Sequence, residues 1–294
     1  MLRDFGQVLT AMVTPFDASG KVDLGAAREL AQMLINSGSD GIVVAGTTGE
    51  GPVIQVEEKL RLFEAVKEAV GDNGYVLANT GNYNTAESMA LSREAESVGV
   101  DGVMLVVPYY NKPSQEGLYQ HFKTVAQAIK LPVLLYNVPS RTVRNMEPET
   151  VKRLAAIDNI VAIKEASGDM DQATELCNIS PDLKVYSGDD SLTLPMLAVG
   201  GHGVVSVAGH LVGKQIKEMI TAFVSGDIAK ARGIHQELYP LAKAMFLTTN
   251  PVPVKTAMKL LGYPVGEVKL PLVPLNEQEL ATLKAVLKDY GLLK

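Results

Sequence analysis

The sequence predicts an α/β fold: a closed (β/α)8 barrel with a C-terminal helical appendix. Three observations carry this. Short apolar runs rich in Val and Ile alternate with amphipathic helical patterns. Eight such runs occur, and no hairpin signal lies between them. After the eighth, only helical patterns remain. Eight βα units close into a barrel of about 250 residues that folds as one unit, and the chain has 294 residues. The competing arrangement is an open, doubly wound sheet. That fold usually carries a Gly-rich turn after its first strand, where this chain has Thr14-Pro15-Phe16.

The first strand covers residues 7–13 and is stopped by Pro15, which has no N–H to donate. A helix follows over 24–37, with Leu30, Ala31, Leu34 and Ile35 at helical spacing. The second strand, 41–45, empties into Gly46-Thr47-Thr48-Gly49-Glu50. The next helix covers 56–70, with Leu60, Phe63, Val66 and Val70 inward. The third strand is 75–79, and Asn84 or Thr85 caps the helix after it. Strand four is 102–107, and Ser114 caps a helix running to about 128. Strand five is 133–136, followed by a loop holding Arg141 and a helix from about 148. Strands six, seven and eight are 160–164, 184–187 and 203–207. Helical patterns then cover 214–224, 228–246, 254–261 and 277–290. The first belongs to the barrel, which gives a division into 1–226 and 227–294. The second part is a small unit to stand alone.

Composition narrows the function classes. The chain is 47% hydrophobic and 20% charged, ordinary for a soluble protein with a large core. The net charge of -6 and the absence of a basic block argue against nucleic acid. No stretch is apolar enough to span a bilayer, and the N-terminus has no apolar signal core, so a cytoplasmic protein without a membrane partner is expected. The single cysteine, Cys177, allows no internal disulfide or cysteine metal cluster and reads as a packing residue. The four histidines show no metal-ligand pairing beyond a loose His202 and His210. There is no Walker loop or dinucleotide fingerprint. Neither a metal nor another cofactor is expected.

A barrel carries its chemistry at the C-terminal ends of its strands. That rule selects Thr47 and Thr48, Tyr109 and Tyr110, Tyr136, Arg141, Lys164 and Gly188. Lys164 ends strand six. A partly desolvated amine there is a nucleophile near neutral pH; the same position also suits a lysine that snorkels to water or pairs with Glu165. Tyr136 ends the neighbouring strand, about 5 Å away, and is either an acid/base partner or a core tyrosine with its hydroxyl satisfied. Gly46 to Gly49 offers backbone N–H groups and hydroxyls to a small anion, or is an ordinary turn. Arg141 either clamps a carboxylate or is solvated. Tyr109 and Tyr110 are loop packing or an interface anchor. An amine, phenols, threonines and an arginine together fit carbonyl chemistry through an imine.

Four stretches carry a family resemblance that spans essentially the whole chain. They are Gly46-Thr47-Thr48-Gly49-Glu50, the run from Pro108 to Gly117, Tyr136-Asn137-Val138-Pro139-Ser140-Arg141-Thr142, and Ile163-Lys164-Glu165-Ala166-Ser167-Gly168. In these the sequence resembles the dihydrodipicolinate synthases, within a superfamily of pyruvate-linked lyases that shares the first and last. The resemblance implies that Lys164 forms a Schiff base with pyruvate. The resulting enamine then attacks L-aspartate 4-semialdehyde, on the diaminopimelate route to lysine. It implies a proton relay of Tyr136, Thr47 and Tyr110, the last reaching into a neighbouring subunit. It assigns pyruvate to Thr48 and to backbone at Gly188 and Val205, and the semialdehyde carboxylate to Arg141. A homotetramer built from two tight dimers is implied as well. One region departs from lysine-inhibited members: Val56, Lys59 and Tyr83 stand at positions aligned with their lysine site, while Glu87 and Tyr109 remain. Weak or absent lysine feedback is the expectation.

Overall fold

All eight β-rich runs form strands, and helices join them in the predicted alternation. The computed structural model describes residues 4–294, so the N-terminal stretch read for a signal core begins outside the described residues. In chain order the elements are β1 (Val8–Ala11), α1 (Leu24–Asn36), β2 (Gly41–Val44), α2 (Val56–Val70), β3 (Tyr75–Asn79) and α3 (Thr85–Val98). Then come β4 (Gly102–Val106), α4 (Gln115–Gln127), β5 (Val133–Asn137), α5 (Pro139–Thr142), α6 (Pro148–Leu154), β6 (Ile160–Glu165) and α7 (Met170–Cys177). The chain continues through β7 (Lys184–Ser187), α8 (Thr193–Ala198), β8 (Gly203–Ser206), α9 (Gly209–Val224), α10 (Ile228–Ala244), α11 (Val252–Leu260) and α12 (Glu277–Asp289).

The strands pair in parallel in sequence order, and β8 returns to β1 through Val8↔Val204, Leu9↔Val205 and Thr10↔Ser206. The sheet is therefore a closed barrel, which excludes the open doubly wound alternative. Period-2 alternation sorts the side chains into two cores. In β2, Val43 joins Leu9, Leu77, Met104, Leu134 and Val205 inside the barrel, while Ile42 and Val44 pack outward under the helices.

Several helices start at a side-chain cap. Asp23 accepts from Ala26 N–H ahead of α1, Asn84 caps α3, Ser114 caps α4 and Asp169 caps α7. Asn84, not Thr85, is thus the cap of α3. Several boundaries differ from the sequence reading. β1 is shorter because Val13 N–H leaves the ladder for His210 Nε2 at 3.1 Å. β5 and β6 each run one residue further, because Asn137 and Glu165 remain in register. Arg141 lies on a helical turn, α5, rather than a loop. That turn, α7 and α8 are too short to give a clear period.

Leu238, Leu241, Val254, Met258, Leu283 and Leu287 from α10–α12 belong to the same hydrophobic cluster as the barrel helices. Residues 227–294 therefore share one continuous core with the described residues of 4–226. No helix among the described residues is long and apolar enough to cross a membrane.

Candidate active site

Lys164 is 5% exposed and pairs in register with Tyr136 on β5 and with Tyr186 on β7. Its Nζ lies 4.1 Å from the centre of the Tyr136 ring. No hydrogen bond or ion pair to it is formed among the described residues. The two flanking phenols differ. Tyr186 donates its hydroxyl to the carbonyl of Gly6 at 2.7 Å, stacks edge-on against His202, and burial pushes its pKa far up. The Tyr136 hydroxyl has no partner among the described residues. Of the two phenols, only Tyr186 has its hydroxyl tied to another group among the described residues.

Glu165 does not pair with Lys164. Successive strand residues point to opposite faces, and the Glu165 carboxylate accepts from Asn137 Nδ2 at 2.9 Å, Gln172 Nε2 at 2.9 Å and Ser167 N–H at 2.6 Å. Asn145 closes the network, bonding both Asn137 and Gln172. The residues directly after Tyr136 and Lys164 are thus tied together behind them. This fixes the register that sets the Tyr136 and Lys164 side chains side by side.

The loop after β2 holds Thr47 and Thr48. Two residues with side chains, Ala45 and Glu50, adopt left-handed backbone on either side of it, with φ of 54° and 53°. Gly51 is required, because a Cβ there would meet the Ala45 carbonyl oxygen at 2.0 Å. Neither the Thr47 nor the Thr48 N–H is donated to another described residue, so both remain available to an anion. Thr48 is buried and its Oγ1 accepts from Asn250 Nδ2 at 2.9 Å; Thr47 is half-buried. Gly188 packs against the lysine stem, since a Cβ there would come within 3.1 Å of Lys164 Cε. Its N–H is already donated to the Glu165 carbonyl at 2.7 Å, leaving its carbonyl as the group that can face a ligand. Val205 is buried inside the barrel in β8, opposite Leu9.

Thr47 and Arg141 line one cavity of about 380 Å³, together with Val138, Asn79, Tyr109 and Lys59. Lys164 and Tyr136 are not in its lining; Val138 connects the cavity to the interior cluster that holds Tyr136. Arg141 is exposed and its guanidinium reaches the Asn250 carbonyl at 3.4 Å. Tyr109 packs edge-on against Tyr83, with ring centres 5.1 Å apart, and burial raises its phenol pKa. Tyr110 is 90% exposed with φ of 72°, and it is not brought to the other site residues within this chain. Burial pulls the Lys59 pKa down, and Glu87 pulls it partly back.

Three contributors escape the sequence reading. Asn250 reaches the site from the segment before α11. Tyr186 competes for the place beside Lys164. Asp190, buried after β7, accepts from Ser206 Oγ and from the N–H groups of Val207 (2.9 Å) and Ala208 (3.0 Å), fixing the end of β8. Asp190 lies on the catalytic rim and is within reach of the strand-end rule; Asn250 follows no pattern. His202 and His210 do not converge, since His202 meets Asp4 while His210 is buried between Val13 and Val207.

Comparison with known proteins agrees with this geometry. The profile of the Dihydrodipicolinate synthetase family matches residues 4–290. A 4-hydroxy-tetrahydrodipicolinate synthase of Heliobacterium modesticaldum is 59% identical over 290 residues, covering 98% of this chain and 97% of that protein. A crystal structure of a dihydrodipicolinate synthase from Bacillus anthracis superposes with a TM-score of 0.95 at 50% identity, covering 98% of this chain and 99% of its own. The enzyme from Cyanidioschyzon merolae, crystallised with lysine bound, superposes with a TM-score of 0.97 at 45% identity over 98% of this chain and 99% of its own. With a family match over nearly its whole length and a barrel rim of the corresponding kind, the chain belongs to the dihydrodipicolinate synthetase family.

Proposed function

We propose that the chain condenses pyruvate with L-aspartate 4-semialdehyde to give 4-hydroxy-tetrahydrodipicolinate, on the diaminopimelate route to lysine. One observation carries the mechanism: a buried amine with no ionic partner, held against a phenol whose hydroxyl is free. In this reading Lys164 Nζ attacks the ketone carbon of pyruvate. Tyr136 moves the protons that turn the carbonyl oxygen into departing water, and an imine forms. Loss of a proton from the pyruvate methyl group gives the enamine. Its carbon attacks the aldehyde carbon of the semialdehyde. The semialdehyde's amine then attacks the imine carbon, closes the ring and releases Lys164.

The other residues receive roles from their positions. The open N–H groups of Thr47 and Thr48 suit the pyruvate carboxylate, with Gly188 through its carbonyl side and Val205 as the facing wall. Arg141, at the mouth of the cavity, suits the semialdehyde carboxylate. The exposure and left-handed backbone of Tyr110 support a role in a neighbouring subunit's relay with Thr47. We assign the chain a homotetramer of two tight dimers on that basis. Purified protein tested with pyruvate and either L-aspartate 4-semialdehyde or a sugar-derived aldehyde separates this reaction from that of a sister aldolase. Turnover with the sugar-derived aldehyde alone would overturn the assignment.

A further inference from the structure

We infer that Glu50 and Lys255 are a positioning pair for the Thr47–Thr48 loop, and that the C-terminal segment thereby sets the geometry of the active site. The inference rests on the reading of that loop as the pyruvate carboxylate site.

Glu50 ends the loop and is 3% exposed, with a left-handed backbone that a residue with a side chain adopts only when its surroundings hold it there. Among the described residues its carboxylate is gripped by the C-terminal segment alone. Lys255 Nζ on α11 donates to Glu50 Oε1 at 2.9 Å, and the Lys269 N–H donates to Oε2 at 2.7 Å. Lys255 is 2% exposed. Its ammonium also donates to the Glu267 carbonyl at 3.0 Å and sits 4.3 Å from the centre of the Phe16 ring. Burial pulls its pKa down, and the Glu50 carboxylate offsets part of that pull. A second pin lies five residues earlier in the same segment, where Asn250 Nδ2 meets Thr48 Oγ1.

The connection to the reacting groups is short. Glu50 N–H donates to the Thr47 carbonyl at 3.1 Å, and Gly51 N–H donates to the Gly46 carbonyl at 3.0 Å. A displacement of Glu50 therefore moves the Thr47 peptide directly. A buried ion pair is a poor source of net stability, because two charges must lose their water. What it supplies is a single permitted arrangement, since each charge has only a few donors or acceptors to satisfy it. Among the described residues two lysines are buried, Lys164 and Lys255. The one with a carboxylate partner holds the loop; the one without an ionic partner is free for chemistry.

Steady-state kinetics of Glu50→Gln and Lys255→Met test this, with pyruvate and aldehyde varied separately and folding checked by circular dichroism. Misplacement of a binding loop should raise the pyruvate KM by about tenfold or more and leave the aldehyde KM within about twofold. A purely structural pair would lower Tm and leave both KM values of the folded variants unchanged; that result overturns the inference. If neither variant folds, amide exchange on the parent enzyme decides. Pyruvate fixed by borohydride should slow exchange in residues 46–51 and at Lys269 together. Protection confined to 46–51 would overturn the coupling. Absence of a pyruvate adduct on Lys164 in the parent would instead overturn the reading of the site itself.

Discussion

Tyr136 and Lys164 stand directly opposite each other in the β5–β6 register, and the lysine Nζ lies 4.1 Å from the centre of the phenol ring. The relation is fixed from behind by the Asn137–Glu165 hydrogen bond, one residue further along both strands. Tyr186, the other in-register neighbour, is removed from competition by its bond to the Gly6 carbonyl.

The first prediction follows from that difference. Tyr136→Phe should lower kcat by about 10²–10⁴-fold, the usual contribution of a positioned acid/base group. The ring that packs on Lys164 is retained, so the pyruvate KM should stay within about threefold. Tyr186→Phe should leave kcat within about threefold. Steady-state assays of both variants check this; equal losses would remove Tyr136 from its proposed role.

Lysine should inhibit this enzyme weakly or not at all. The cavity wall carries Lys59 together with Val56, Tyr83, Tyr109 and Glu87. A second ammonium placed beside Lys59 meets like-charge repulsion, about 4 kcal/mol at about 4 Å before the opposing pull of Glu87 is counted. An inhibition curve with L-lysine checks it, and half-inhibition at micromolar lysine would contradict it.

Two buried histidines should make the fold acid-sensitive. Burial lowers the pKa of His121 and of His210 to about 4, while an unfolded histidine titrates near 6.5. The unfolded chain therefore binds more protons than the folded one between these values, and stability falls as pH drops from about 6.5 towards 4. Each histidine should cost about 2 kcal/mol by pH 5. His210 holds the Val13 N–H and meets the Val207 carbonyl, tying the end of β1 to the end of β8. Urea unfolding at pH 7 and pH 5 measures the loss; a flat profile would contradict it.

What the sequence discloses follows from the range of the interactions. Strands and their ends are local, written in runs such as residues 160–164, so the barrel and the rim positions of Tyr136, Lys164 and Thr47 can be read directly. The cap Ser114 acts within three residues and is equally visible, while the choice between Asn84 and Thr85 needed the structure. Asn250 meets Thr48 across 202 positions and Lys255 meets Glu50 across 205, with no periodic pattern to announce either contact. Tyr186 is hidden for another reason: it has the same register as Tyr136, and only the bond to Gly6 separates their roles. The role proposed for Tyr110 lies in a neighbouring subunit, and within this chain the residue is simply exposed.

The central claim is that Lys164 forms the imine. Incubation with pyruvate and sodium borohydride, followed by peptide mass spectrometry, tests it most directly. One reduced pyruvate adduct is expected, located on Lys164 and abolished by Lys164→Ala. No adduct, or an adduct on Lys255 or any other lysine, would contradict it.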